Sequence, residues 1–343
     1  MRIALDAMGG DAAPREPVLG ALNAAEAHPD HEVVLVGDRG SIELELEASG
    51  SPTVENLSIV HATQVVAMDE KPVAAMKKKP DNSILRAIKL IADGEADAVV
   101  SAGNTGAMVA GSMFTLQLLP GVKRLGIAIS GYTTHGHCTI IDVGANLNCR
   151  PIHLCQYGIM ASVFHAALFR CEKPRVGLLS VGEEDSKGST LTQEAAALLA
   201  KAPINFIGNA EGHDIFNGNY DVVVCDGFVG NAIIKAVEGF GEMLADILRV
   251  AIARDVWGRL SFNLMRPVLL NLQRRVDFAD YGGAPLLGVN GGVIICHGRS
   301  TARAISNAIT KAFDFVESDV NGTISKTLKG VKDVKDTKKT ERE

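Results

Sequence analysis

Seven short apolar runs along this chain each end in a cluster of glycine with asparagine, aspartate or serine, and most then resume with helical spacing. The clusters fall at residues 6–11, 101–106, 142–146, 182–188, 208–212, 226–231 and 297–300. Apolar runs this short, bounded by turn residues, suit strands buried on both faces. Strands of that kind alternating with helices fold as a mostly parallel sheet covered on both sides. The expected fold class is therefore α/β, with three α/β/α layers. In a parallel sheet the carboxyl ends of the strands share one edge, and ligands bind there. All seven loops are thus expected to converge on one cleft.

The clearest junction is Ser101-Ala102-Gly103-Asn104-Thr105-Gly106, between the apolar run ending at Val100 and a helical stretch reaching Leu116. A strand turning through glycines into a helix leaves backbone N–H groups unpaired, with the positive end of the helix dipole behind them. That arrangement binds anions. Strands are expected at 2–5, 33–36, 57–61, 97–101, 126–130, 139–142, 176–180, 205–207, 221–225 and 293–296. Helices are expected at 17–27, 41–48, 83–92, 151–169, 191–200, 301–316, and onward from 229.

With 343 residues, 47% hydrophobic and 22% charged, the chain can bury a large core. A net charge of −6 argues against a nucleic-acid partner. Six scattered cysteines without C-x-x-C spacing, and no signal peptide, are consistent with reduced thiols in a cytoplasm. Residues 98–122 carry no charge, yet four glycines, Asn104 and Pro120 make them strand, turn and helix rather than a membrane span.

Two segments leave the alternation. Residues 236–276 read as a helical hairpin inserted in a single catalytic domain of residues 1–320. Between Arg249 and Arg275 it holds six arginines against one acid, among Trp257, Phe262 and Leu264. Such a surface suits an acidic partner, an anionic membrane or a dimer interface. From Ser325 onward lysines and acids displace apolar residues, so a disordered charged tail is expected over 321–343.

No P-loop signature and no G-x-G-x-x-G after a strand is present, which argues against phosphoryl transfer by a P-loop and against ordinary dinucleotide binding. Lys187, in a glycine-flanked loop, is the best cation for a phosphate or a developing oxyanion. Asn231, where residues 226–230 turn into a helix, offers a neutral donor or a helix cap. Asn104 and Asn146 carry the same two readings. Cys225 and His297 each end a strand, so a nucleophilic pair is open, although nothing in their spacing shows that they meet. Asp6, Asp11, Asp142 and Asp226 are possible metal ligands, but their glycine and asparagine neighbours suit an anion better.

Taken together, residues 6–11 (DAMGGD), 69–72 (DEKP), 101–106 (SAGNTG), 142–146 (DVGAN), 182–188 (GEEDSKG), 208–212 (GNAEG), 225–231 (CDGFVGN) and 281–288 (YGGAPLLG) resemble the bacterial phosphate acyltransferases of phospholipid synthesis, the PlsX family. The resemblance covers roughly residues 1–316. It implies a fold like those of isocitrate and isopropylmalate dehydrogenases and of phosphotransacetylases, with a protruding helical hairpin linked to dimerisation and membrane-surface attachment. It implies transfer of an acyl group from acyl carrier protein to inorganic phosphate by a homodimer, with Lys187 and Asn231 catalytic. Together with the residue reading it places the phosphate and substrate on Gly103, Asn104, Thr105, Gly106, Asp142, Asn146, Asp226, Gly230 and His297, and calls for no metal or other cofactor. The carrier protein is expected on basic surface, either the arginine-rich hairpin or Lys77, Lys78 and Lys79 with Arg86. The rival readings are a coenzyme A-dependent phosphotransacetylase, a metal and nicotinamide dehydrogenase, and a membrane-surface scaffold without catalysis.

Overall fold

Val33, Val34, Leu35 and Val36 are all fully buried, so both faces of this strand lie inside protein, as an unbroken apolar run requires. Val222–Val224 and Gly292–Ile295 are likewise buried throughout. The computed structural model describes residues 1–50, 54–184, 186–253 and 282–330. Its elements are β1 (Arg2–Asp6), α1 (Arg15–Ala27), β2 (Glu32–Gly37), α2 (Arg39–Ala48), β3 (Leu57–His61), α3 (Pro72–Lys78), α4 (Ser83–Ala92), β4 (Ala98–Ser101) and α5 (Thr105–Thr115). There follow β5 (Gly126–Thr133), β6 (Gly136–Ile141), α6 (Pro151–Phe169), β7 (Arg175–Leu179), α7 (Thr190–Leu199), β8 (Asn205–Ala210), α8 (Asp214–Asn217), β9 (Val222–Val224) and α9 (Gly227–Ala253). The chain closes with β10 (Ala284–Leu287), β11 (Gly292–Ile295), α10 (Ala302–Glu317) and α11 (Val320–Lys329).

The strands form one sheet in the order β3-β2-β1-β4-β11-β10-β5-β6-β9-β7-β8. Pairing is parallel except for β10 with β11, β10 with β5, and β5 with β6. Those three antiparallel steps reverse the chain direction an odd number of times between the halves. Strands β1 to β4 and β11 therefore run one way, and β6 to β9 run the other. The expectation that seven loops share one edge is corrected here. The loops after β1, β4 and β11 leave one edge, and those after β6, β7, β8 and β9 leave the opposite edge.

Side-chain alternation along the strands separates two helical layers. On one face Ile127, Val293 and Val99 pack with α4 and α5, and beside them Ile140, Val223 and Cys225 pack with α8 and α9. On the other face Ile3, Leu35 and Ile294 meet α1, α2 and α10, while Ile141, Val176 and Val224 meet α6, α7 and α11. The result is the three-layer α/β/α arrangement. Helix α6 is long and apolar enough to cross a membrane, but it is a core helix, with Tyr157, Ile159 and Met160 fully buried.

Part of the expected tail is folded. In α11, Val320, Ile324 and Leu328 recur every four residues, are buried, and pack on the α6 side of the core. One narrow apolar stripe suffices to dock a helix whose overall composition is polar. Residues 331–343 lie outside the described residues, as do residues 254–276 of the expected hairpin. Its first limb, up to Ala253, continues α9 as one helix.

Candidate functional site

The loop after β6 is built around one carboxylate. Asp142 is fully buried. Its Oδ1 accepts from the backbone N–H groups of Ile127 (3.0 Å), Gly144 (3.1 Å) and Ala145 (2.9 Å). Its Oδ2 accepts from the N–H of Asn146 (2.8 Å) and from Asn146 Nδ2 (3.3 Å). Burial pushes the pKa of this carboxyl up, against the pull of the four backbone donors. Asn146 Nδ2 also donates to the Leu125 carbonyl (2.6 Å) and to Tyr157 Oη (2.8 Å), and that hydroxyl donates to the same carbonyl (3.1 Å). The side-chain groups by which Asp142 and Asn146 were expected to bind phosphate are therefore spent inside the loop. Both expectations are corrected to a building role, because a saturated anion has nothing to offer another anion.

What the loop builds is a seat for α9. The N–H of Gly227 donates to the Asn146 carbonyl (2.9 Å), and Asp226 Oδ1 caps the helix by accepting from Phe228 (2.9 Å) and Val229 (3.0 Å). Gly230 passes so close to Asp142 that a Cβ there would run into the Asp142 carbonyl, with Cys225 Sγ only 3.0 Å away. Asp226 Oδ1 and Gly230 thus position the helix. The first-turn N–H groups of α9 are consumed by this capping and by the Asp226 and Asn146 carbonyls. Asn231 itself is exposed, about one turn into the helix, with its Oδ1 3.8 Å from the point where a Gly144 side chain would begin. It is not the cap.

Lys187 is exposed after β7. Its N–H donates to the Glu184 carbonyl (2.9 Å), and its aliphatic stem lies over Gly182, where an added Cβ would be 3.1 Å from Lys187 Cγ. Asn209 Nδ2 and Gln193 Nε2 hold this loop through the carbonyls of Glu184 (3.0 Å) and Ser186 (2.8 Å). Among the described residues no ion pair is recorded for Lys187. Strands β7 and β9 are neighbours, so the loops carrying Lys187 and Asn231 leave the same edge. They lead, however, to helices on opposite faces of the sheet.

At the other edge a second buried carboxylate organises the loops after β1, β4 and β11. Asp6 Oδ2 accepts from Ser101 Oγ (2.7 Å), which in turn accepts from the N–H of Gly103 (3.0 Å). Burial pushes the Asp6 pKa up. Asn104 is spent: its Oδ1 caps α5 at Ala107 (3.0 Å), and its Nδ2 donates to the carbonyls of Ala67, Met68 and Glu70. The N–H groups of Thr105 and Gly106 stand in the first helical turn with no hydrogen-bond partner among the described residues, the arrangement that an anion needs. His297 is exposed, and its Nδ1 accepts from the Arg299 N–H (3.2 Å). Arg299 pairs with Glu242 of α9 at 3.0 Å, which ties this loop to the other half. Helices α5 and α9 share one face of the sheet, and Val143 and Ala145 pack against the same core as Ala107 and Met108 of α5.

The Cys225 and His297 pair is not formed. Three strands separate β9 from β11, and Cys225 is buried, with its Sγ 3.5 Å from the Asp142 carbonyl and burial holding the thiol well above its usual pKa. Asp6 and Asp142 lie in separate loop groups, and among the described residues no cluster of three His, Cys, Asp or Glu side chains has metal-holding geometry. Tyr157 escapes sequence reasoning, because a tyrosine in an apolar helix reads as core. Only the fold shows its hydroxyl anchoring the Asn146 amide.

The family described as "Fatty acid synthesis protein" matches residues 1–323. A phosphate acyltransferase of Pelotomaculum thermopropionicum is 46% identical over 331 residues, covering 96% of both chains. One from Myxococcus xanthus is 44% identical over 332 residues, covering 96% of this chain and 94% of its own. Among solved structures, EutD phosphotransacetylase from Staphylococcus aureus superposes with a TM-score of 0.58 at 16% identity, covering 94% of each chain. A branched-chain phosphotransacylase from Enterococcus faecalis V583 gives 0.59 at 14% identity, covering 92% of this chain and 99% of its own. Those likenesses show the fold alone, and they match the three-layer sheet described above. Nearly full-length coverage at 44 to 46% identity settles the kinship: the chain belongs to the fatty acid synthesis protein family, together with these phosphate acyltransferases.

Proposed function

We propose that this enzyme moves a long-chain fatty acyl group from acyl carrier protein to inorganic phosphate, giving acyl phosphate for phospholipid synthesis. Kinship with the phosphate acyltransferases carries the reaction. One structural observation carries the choice of residues: Asp142, Asn146 and Asn104 are engaged in building loops and Asp226 Oδ1 in capping α9, whereas Asn231 and Lys187 are exposed, with no side-chain hydrogen bond or ion pair among the described residues. A phosphate oxygen attacks the thioester carbonyl, forming the C–O bond. The C–S bond then breaks, and the thiolate leaves readily because thiol pKa values lie near about 8.5. Lys187 neutralises and orients the phosphate and Asn231 donates to the tetrahedral oxyanion, both from loops at one sheet edge, while the amides at Thr105 and Gly106 offer an anion cradle at the other edge. No covalent intermediate on the protein is needed.

The working unit is proposed to be a homodimer that touches anionic membrane surface. In support, the second half of α9 exposes Phe240, Met243, Leu244, Ile247 and Val250, an apolar face larger than scattered surface residues account for.

The test is release of carrier-protein thiol from a long-chain acyl carrier protein, with and without phosphate. Wild type should release thiol only with phosphate. Lys187→Ala should abolish most of that release, and Asn231→Ala should lower it by about 10²- to 10³-fold, the usual cost of one oxyanion donor. Release that persists in Lys187→Ala would remove its role, and turnover of coenzyme A thioesters alone would move the chain to the phosphotransacetylase reading.

A further inference from the structure

The sequence pattern predicts no helix at 72–78, and the structure sets α3 beside the head of α5. Pro72 packs directly on Gly106, and Asn104 Nδ2 binds the carbonyls of Ala67 (3.1 Å), Met68 (3.1 Å) and Glu70 (3.2 Å), which lead into α3. Ala75 and Val66 anchor this segment in the core on the same sheet face as α5 and α9. What it turns outward is basic and apolar together. Residues 69–89 carry six lysines and arginines against three acids, on a chain whose net charge is −6. Two of those acids are engaged locally: Glu70 Oε2 holds Lys79 Nζ at 2.6 Å, and Asp81 Oδ2 accepts from both the N–H and the hydroxyl of Thr63 (2.9 and 2.7 Å). Lys71, Lys77, Lys78, Arg86 and Lys89 are exposed, with no ion pair recorded among the described residues. Val65, Met68 and Val73 lie exposed between them, at 38%, 49% and 48%.

A basic rim around a few exposed apolar side chains fits an acidic protein surface that also presents apolar residues. We propose that the acidic carrier protein delivering the acyl thioester docks on α3 and the 65–71 segment, held by Lys71, Lys77 and Lys78 around Val65, Met68 and Val73. This rests on the carrier-protein reading above and names the surface that serves it. Of the two basic regions read from the sequence, this one lies wholly within the described residues, and it is continuous with the α5 junction. A carrier seated here stands beside the anion cradle, on the face of the sheet where Asn231 projects from α9.

The experiment reverses the charges in a Lys71→Glu, Lys77→Glu, Lys78→Glu variant. All three side chains are exposed, so the fold should be retained. Equilibrium binding of acyl carrier protein is measured beside turnover of two donors carrying the same acyl group, one on carrier protein and one on a small thiol. The expected result is weaker carrier binding and a KM for the carrier substrate raised about tenfold or more, with kcat and small-thioester turnover unchanged. Added salt should raise the wild-type KM toward the variant's value. Equal losses on both donors would overturn the proposal by showing a structural effect. An unchanged carrier KM would overturn it by placing docking elsewhere, and lost binding to anionic vesicles with an unchanged KM would reassign the patch to membrane. Carrier binding without any turnover in the wild type would sink the proposed reaction but leave the docking surface standing.

Discussion

Replacing Asp142 by Asn isolates the carboxylate that holds the α9 seat. In the better of the two amide orientations, Oδ1 keeps its three backbone donors at 2.9 to 3.1 Å. An NH₂ group then takes the place of Oδ2, facing the Asn146 N–H at 2.8 Å and Asn146 Nδ2 at 3.3 Å. Asn146 Nδ2 retains the Leu125 carbonyl and Tyr157 Oη, so the part-buried Asn146 N–H is stranded outright. A stranded buried donor costs about 1–3 kcal/mol, and three bonds fall from charge-assisted to neutral strength. The flipped amide is worse, because NH₂ would then face three donors. The loss should total about 2–4 kcal/mol. Urea unfolding at neutral pH measures it directly, and because Gly144 backs Asn231, acyl transfer should fall as well. A change below about 0.5 kcal/mol would refute the reasoning, since it would mean that the native carboxyl is already protonated and an amide replaces it without loss.

Gly230→Ala should destabilise by about 1–3 kcal/mol or more, because the new methyl meets the Asp142 backbone, which no rotamer change can relieve; an unshifted unfolding midpoint would remove the close approach. Cys225→Ser should keep activity within about twofold, since a hydroxyl can donate to the Asp142 carbonyl as the thiol does; a folded but inactive variant would restore the nucleophile reading. His165 is buried, with Nδ1 2.9 Å from Thr139 Oγ1, and burial lowers its pKa to about 4. Its contribution to stability is fully present above the unfolded value of about 6.5 and is lost as pH falls toward 4, because the unfolded chain takes up the proton first, at up to about 1.4 kcal/mol per pH unit. Unfolding titrations between pH 7 and 4.5 should show this slope, and His165→Gln should flatten it.

Long periodic segments were legible from one dimension. Residues 151–169 form a helix over the expected span, and the 57–61 and 83–92 elements also fall where the pattern places them. Elements were missed where local chemistry pointed elsewhere. No strand is expected at 284–287, where two glycines and a proline break the apolar run, yet β10 forms through its pairing with β5 and β11. In α11, Val320, Ile324 and Leu328 are too few to stand out, and only the waiting surface of α6 gives them something to cover.

At the site, the turn chemistry of Asp142, Asn146, Asp226, Asn104 and Gly230 was visible, but its purpose was not. A carboxylate or amide beside glycines looks the same in sequence whether it faces a ligand or its own backbone, and the choice depends on groups as distant in sequence as Ile127, Tyr157 and Gly227. The order of residues alone determined a mostly parallel α/β chain with anion-suited strand ends, because apolar run length and glycine placement act locally. Tertiary structure decided that the strand ends divide between two edges, because three antiparallel pairings reverse the sheet, and that, among the described residues, Asn231 and Lys187 are without the side-chain partners that Asp142, Asn146 and Asn104 have.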